Sequence, residues 1–104
     1  MRKKVIAGNW KMYKDVNESI EFVKELVLKQ NSIPDNVDVI ICTPFTSLYA
    51  VSQIVKDSKV MLGAQNMFYE DQGAYTGEIS PLMLKSTGCK YVILGHSERR
   101  TYFG

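Results

Sequence analysis

Four short apolar runs recur along the 104-residue chain, starting near residues 5, 37, 60 and 91, so about every 29 residues. Between them lie segments whose apolar residues return at helical spacing. This alternation confines the chain to parallel β-α-β units with right-handed crossovers. The runs predicted as strands are Val5 to Lys11, Val37 to Cys42, Val60 to Ala64 and Tyr91 to Leu94. They are almost continuously apolar, as parallel strands covered on both faces must be. Two architectures satisfy the pattern: an open doubly wound sheet, or part of a closed barrel. Eight such units would need about 230 residues, close to the ~250 of a complete (βα)8 barrel. The chain holds three units and a fourth strand, so the whole of 1–104 reads as one incomplete domain, β1-α1-β2-α2-β3-α3-β4.

The intervening helices carry their own signals. Asn17 suits an N-cap, with Glu18 and Glu21 in the electropositive first turn, and the apolar period runs to about Lys29. Thr43-Pro44-Phe45 reads as a turn before an amphipathic helix from Ser47 to Lys56. Ser80 and Pro81 open a third helix, as N-cap and first helical residue, and Gly88 closes it.

Charge and cysteine content exclude several classes. Thirteen basic and eleven acidic residues leave a net charge of +2 without a long basic face, so nucleic acid is not an expected partner. No run approaches the eighteen apolar residues of a membrane span, and the apolar stretch after Lys4 is too short for a secretory signal. Cys42 and Cys89 form no metal-ligand pattern. Both read as reduced, buried residues of a cytoplasmic protein, with a disulfide between them the less favoured alternative.

Chemistry concentrates where strands end. Asn9 and Lys11 lie two apart on the first strand and should share a face. A lysine held inside a barrel mouth needs an anion. It would suit a phosphate or a developing enolate, although a lysine stem snorkelling from a strand end gives the same pattern. His96 is the sole histidine and follows the fourth strand and Gly95. A lone histidine is commonly a structural hydrogen-bonder, but strand C-termini are where parallel α/β proteins build sites. Gly95-His96-Ser97-Glu98-Arg99 imitates a nucleophile elbow, yet arginine replaces its last glycine and no second histidine can serve Ser97. No G-x-G-x-x-G and no Walker lysine loop occurs. The fifteen residues Gln65 to Ile79 have no clear period but carry aromatics and a methionine. Such a loop must pack on something, either another subunit or its own barrel end.

Gly8-Asn9-Trp10-Lys11, Ala64-Gln65-Asn66, Gly73 to Ser80 and Tyr91 to Arg100 together resemble the triosephosphate isomerase family. These motifs follow the family's order from end to end of the chain. The resemblance implies the N-terminal half, strands 1–4 with intervening helices, of a parallel (βα)8 TIM barrel. It implies a homodimer interconverting dihydroxyacetone phosphate and glyceraldehyde 3-phosphate through an enediolate, in glycolysis and gluconeogenesis, with no metal and no organic cofactor. By position it makes Asn9 and Lys11 substrate-binding, Lys11 and His96 catalytic, and Ser97 and Glu98 supporting residues, Glu98 helping to hold Lys11. His96 would be a neutral imidazole that polarises the carbonyl and moves protons between the substrate oxygens. Tyr75 and Thr76 would lie on the arm that enters a neighbouring subunit. The family's glutamate base, lid and phosphate loops match nothing in these residues, so the 104-residue piece alone is expected to be inactive. A phosphate-handling barrel of other specificity is the weaker enzymatic alternative. A non-catalytic half-barrel that self-associates is the alternative from another class.

Overall fold

The computed structural model describes residues 3–104. Four parallel strands, β1 (Lys4–Asn9), β2 (Val37–Thr43), β3 (Val60–Ala64) and β4 (Tyr91–Val92), lie side by side in chain order. Helices α1 (Val16–Leu28), α2 (Phe45–Val55) and α3 (Pro81–Ser86) make the crossovers, and α4 (Ser97–Phe103) follows β4. A single 3-10 turn, Gln30–Ser32, continues from α1. This is the first half of a (βα)8 barrel, four strands curling with their helices outside.

Local chemistry sets the helix ends. The capping residue of α1 is Asp15, not the expected Asn17: its carboxylate accepts the Glu18 N–H at 2.8 Å, and Glu18 accepts the Asp15 N–H at 3.1 Å. This reciprocal pair satisfies two of the donors that a helix start leaves open, which Asn17 at the second helical position could not do. Helix α2 begins at Phe45, two residues before the expected start; Pro44 holds the N-cap position without a side-chain capping bond, and its carbonyl accepts the Ser47 N–H at 3.1 Å. In α3, the Ser80 hydroxyl accepts the Met83 N–H as anticipated. Gly88, at φ +87°, ends that helix: its N–H reaches the Lys85 carbonyl, and the Cys89 N–H returns to the Leu84 carbonyl. That paired closure requires the left-handed conformation glycine adopts freely.

The core lies between the sheet and α1, α2 and α3. Val23, Ile41, Leu48, Val51, Val55, Val60, Leu62, Ala64 and Leu84 form one buried cluster. Helices α1 and α2 approach closely because small residues meet between them. The fully buried hydroxyls of Ser19 and Ser47 are hydrogen-bonded at 2.8 Å, and Ser19 also donates to the Asp15 carbonyl. On the opposite face of the sheet, a Cβ at Gly63 would come within 2.7 Å of Cys42 Sγ, so the absent side chain is what lets Cys42 pack there. Both cysteines are free thiols. Cys42 is buried, whereas Cys89 is only half-buried, against the sequence reading.

Burial does not extend evenly, as continuous apolar strands had suggested. On β1, Val5 and Ile6 are 59% and 60% exposed. They lie on an edge strand that pairs only with β2 among the described residues, so neither face is covered. Strand β4 is likewise shorter than expected. The ladder ends at Val92, although the Ile93 N–H still reaches the Ala64 carbonyl at 2.9 Å, and Leu94 is exposed. No helix among the described residues is long and apolar enough to cross a membrane.

Core burial sets a measurable stability. Leu62 is 2% exposed in the central cluster. Leu62→Ala should cost about 2–5 kcal/mol through lost contacts and a residual cavity. Leu82→Ala on an exposed helix face should stay within about 0.5 kcal/mol. Urea unfolding midpoints of the two variants would check this; equal midpoints would mean that the cluster is not the cooperative core.

Candidate active site

The C-terminal ends of β1, β3 and β4 open into one cleft of about 840 Å³. Asn9, Lys11, Gln65, His96, Glu98 and Arg99 contribute its polar wall, and Leu48 and Phe45 lie on its apolar side. Residues distant in sequence meet here because every parallel strand delivers its end to the same rim.

Asn9 is the last residue of β1. Lys11 lies beyond the strand, so the expectation that the two share a strand face fails. The chain leaves the ladder after the Trp10 N–H bonds the Cys42 carbonyl at 3.1 Å, and Lys11 adopts φ +55°. The Asn9 side chain closes this bend by accepting the Lys11 N–H at 2.8 Å. Trp10 packs edge-on against Phe22 of α1, with centroids 5.5 Å apart, and the Lys14 ammonium lies over both rings. The segment that carries Lys11 is thus anchored on both sides.

The ammonium of Lys11 donates to Glu98 Oε2 at 2.5 Å. Hydrogen bonding to Lys11 holds the Glu98 carboxyl below the usual carboxylate range, with the positive charge of Lys11 acting in the same direction. The reciprocal contact raises Lys11 above the usual lysine value. Both side chains remain nearly half exposed, so the pair is solvated and able to meet a ligand rather than sealed in the core.

His96 is the N-cap of α4. Its Nδ1 accepts the Glu98 backbone N–H at 3.1 Å, and the Glu98 carboxylate is 3.4 Å from the same nitrogen. The hydrogen bond requires a lone pair on Nδ1, so the neutral ring carries its proton on Nε2. Gly95 precedes it at φ +62°, with open space where a Cβ would be, so what glycine supplies there is backbone conformation. Histidine is an unusual cap, and here capping also fixes the ring's tautomer.

The remaining expected residues fall outside this cluster. Ser97 opens α4, is exposed and does not line the cleft. Tyr75 and Thr76 lie exposed in the long segment after β3. That segment folds back on itself: the Phe68 N–H bonds the Ile79 carbonyl at 2.8 Å, and the Phe68 ring packs on Tyr69 and Tyr75. Gln65, Asn66 and Arg99 also line the cleft, and none of them carried a role in the sequence reading. Arg99 sat in a charged run without a local signal. Gln65 reaches back 54 residues to the Lys11 backbone, a contact no sequence period reveals. Among the described residues, no group of histidine, cysteine and carboxylate side chains is placed to hold a metal.

Comparison with known proteins gives a consistent result. The family model described as triosephosphate isomerase matches residues 4–104. The triosephosphate isomerase of Dictyoglomus thermophilum is 56% identical over 103 residues, covering 99% of this chain and 41% of that protein. That of Trichodesmium erythraeum is 57% identical over 104 residues, covering 100% of this chain and 43% of its own. The crystal structure of triosephosphate isomerase from Bartonella henselae superposes with a TM-score of 0.85 at 42% identity, over 97% of this chain and 41% of that one. The chain therefore spans about two-fifths of the length of these relatives.

Proposed function

Since the chain belongs to the triosephosphate isomerase family, we propose that its cleft is the electrophilic half of an isomerase site for dihydroxyacetone phosphate and glyceraldehyde 3-phosphate. The observation that carries this reading is the meeting of a solvated ammonium and an Nε2–H imidazole on one cleft wall. Lys11 supplies positive charge for an anionic substrate and for the negative charge that develops on an enediolate. His96 donates from Nε2 to the carbonyl oxygen, then moves a proton between the two substrate oxygens. Asn9 shapes the bend that presents Lys11 and faces the same cleft.

A base must still take the carbon-bound proton. Glu98 is the one carboxylate on the cleft wall among the described residues, and Lys11 occupies it. The base therefore comes from the part of the family barrel that this chain does not match, and the 104 residues alone are inactive. The whole protein works in the cytoplasm, in glycolysis and gluconeogenesis, a setting that suits two free cysteines. Tyr75 and Thr76, exposed on a folded-back arm, meet a second subunit there.

The exposed apolar residues Val5 and Ile6 of the edge strand β1 favour a second reading, in which the piece associates with copies of itself and catalyses nothing. One set of samples separates the two. The chain alone, and a chimera joining it to the remaining segment of the Dictyoglomus thermophilum relative, would be assayed for triosephosphate isomerisation and run in sedimentation velocity. His96→Ala versions control for contaminating enzyme. The expected result is turnover in the chimera that depends on His96, and none in the chain. A folded, inactive chimera beside a chain that sediments as an oligomer would favour the second reading. His96-dependent turnover by the chain alone would refute the need for an external base.

A further inference from the structure

Lys11 is held at each of its polar ends: its N–H by Asn9, its ammonium by Glu98 and its carbonyl by Gln65. The first two belong to the site already described. Gln65 follows β3 directly, and its Nε2 donates to two carbonyls, Lys11 at 2.8 Å and Cys42 at 3.1 Å. One carboxamide thereby ties together the ends of β1, β2 and β3. Both of its N–H donors are used, which leaves the group a single orientation. Cys42 is 3% exposed, one residue before the end of the central strand β2, so the tie runs to a fixed point. Lys11 meanwhile adopts φ +55°, a region that residues with a side chain occupy only when their surroundings compel it. The bend has no glycine to relieve it; the hydrogen bonds to its backbone are what oppose relaxation.

We propose that Gln65 is a positioning residue, whose carboxamide holds the Lys11 backbone in its left-handed bend and so keeps the ammonium on Glu98 at the cleft. The proposal deepens the isomerase reading, because the charge being positioned is the one assigned to the enediolate. Its chemistry is specific. Leucine at 65 removes both donors at similar size. Glutamate is isosteric but, when ionised, sets an oxygen against two carbonyl oxygens. Asparagine is one methylene too short to reach both.

The test uses Gln65→Leu and Gln65→Glu. In the 104-residue chain, carbon-13 NMR would follow the Glu98 carboxyl during acid titration; Lys11, Tyr13, His96, Arg99 and Tyr102 are the charged or titratable groups that share its cleft. The parent should titrate below the usual glutamate range, and both variants should return toward it as the ammonium drifts away. In the chimera, kcat/KM should fall about 100-fold, the scale of a misplacement of about 1 Å in a catalytic group. A residue that merely supports the fold would lower the melting temperature without moving the Glu98 titration. Unchanged Glu98 titration in both variants would overturn the proposal, even beside an active chimera. A collapsed Glu98 shift beside an inactive parent chimera would uphold the positioning role and reject the isomerase reading instead.

Discussion

His96→Asn in the chimeric barrel is expected to lower kcat by about 10²- to 10⁴-fold, the usual contribution of a positioned acid–base group. The choice of asparagine separates two roles that His96 combines. Its Nδ1 caps α4 by accepting the Glu98 N–H, and α4 carries Glu98, which holds Lys11. An alanine would remove cap and imidazole together, costing about 1 kcal/mol of helix-end stability as well as the chemistry. Asparagine is among the best N-caps, and its side-chain oxygen can accept the same N–H. If His96 acts only by holding α4 in place, His96→Asn should recover activity to within about tenfold of the parent, the scale of one lost hydrogen bond. If the ring is the proton shuttle, asparagine should restore the melting temperature lost in His96→Ala but not the turnover. Single-turnover kinetics and melting curves on the three proteins give the answer directly.

The sequence carried some elements in full and others not at all, for physical reasons that differ from place to place. Strand β3 is buried along most of its length and was legible to the residue, because burial on both faces writes a continuous apolar run. The start and end of α3 were legible from Ser80, Pro81 and Gly88, whose backbone preferences are local. Helix α4 was missed. None of its residues is buried, so it has no apolar stripe, and its cap is a histidine. The cap of α1 was misplaced because Asp15 and Asn17 are both good cap residues, and only the reciprocal bond from Glu18 decides between them. At the site, residue types drew attention to Asn9, Lys11 and His96, and the family resemblance supplied Glu98. The bend at Lys11 stayed hidden, because alternation along a strand predicts a shared face and contains no signal for a lysine at positive φ. Gln65 stayed hidden for a related reason: its partners are backbone carbonyls, which every residue possesses.

Lys11→Met should prove comparably costly to turnover while leaving the fold nearly intact. Methionine keeps the unbranched stem and removes the charge, so the loss isolates electrostatics; removal of one group that stabilises developing negative charge costs about 10²- to 10³-fold in kcat. A second penalty should appear in KM. Without the ammonium, Glu98 stays on the cleft wall as an uncompensated carboxylate and repels an anionic substrate. Lys11→Met with Glu98→Gln should therefore recover part of the KM loss and none of the kcat loss. Arginine should not substitute for Lys11, since its planar fork cannot place a compact charge where the ammonium donates to one carboxylate oxygen. The same pair sets a pH window. Glu98 is lowered by Lys11, so the carboxylate's contribution is present above the ordinary glutamate range and is lost only as pH falls through its depressed value. Lys11 is raised by Glu98, so its contribution is present below the ordinary lysine value and is lost as pH rises through the elevated one. The pair should thus persist across the whole neutral range, and the parent's kcat/KM should show no limb from it near pH 7. Lys11→Met should move the Glu98 titration up toward the usual glutamate range. A Glu98 titration that stays depressed in Lys11→Met would mean that the hydrogen bond between them is not what sets it.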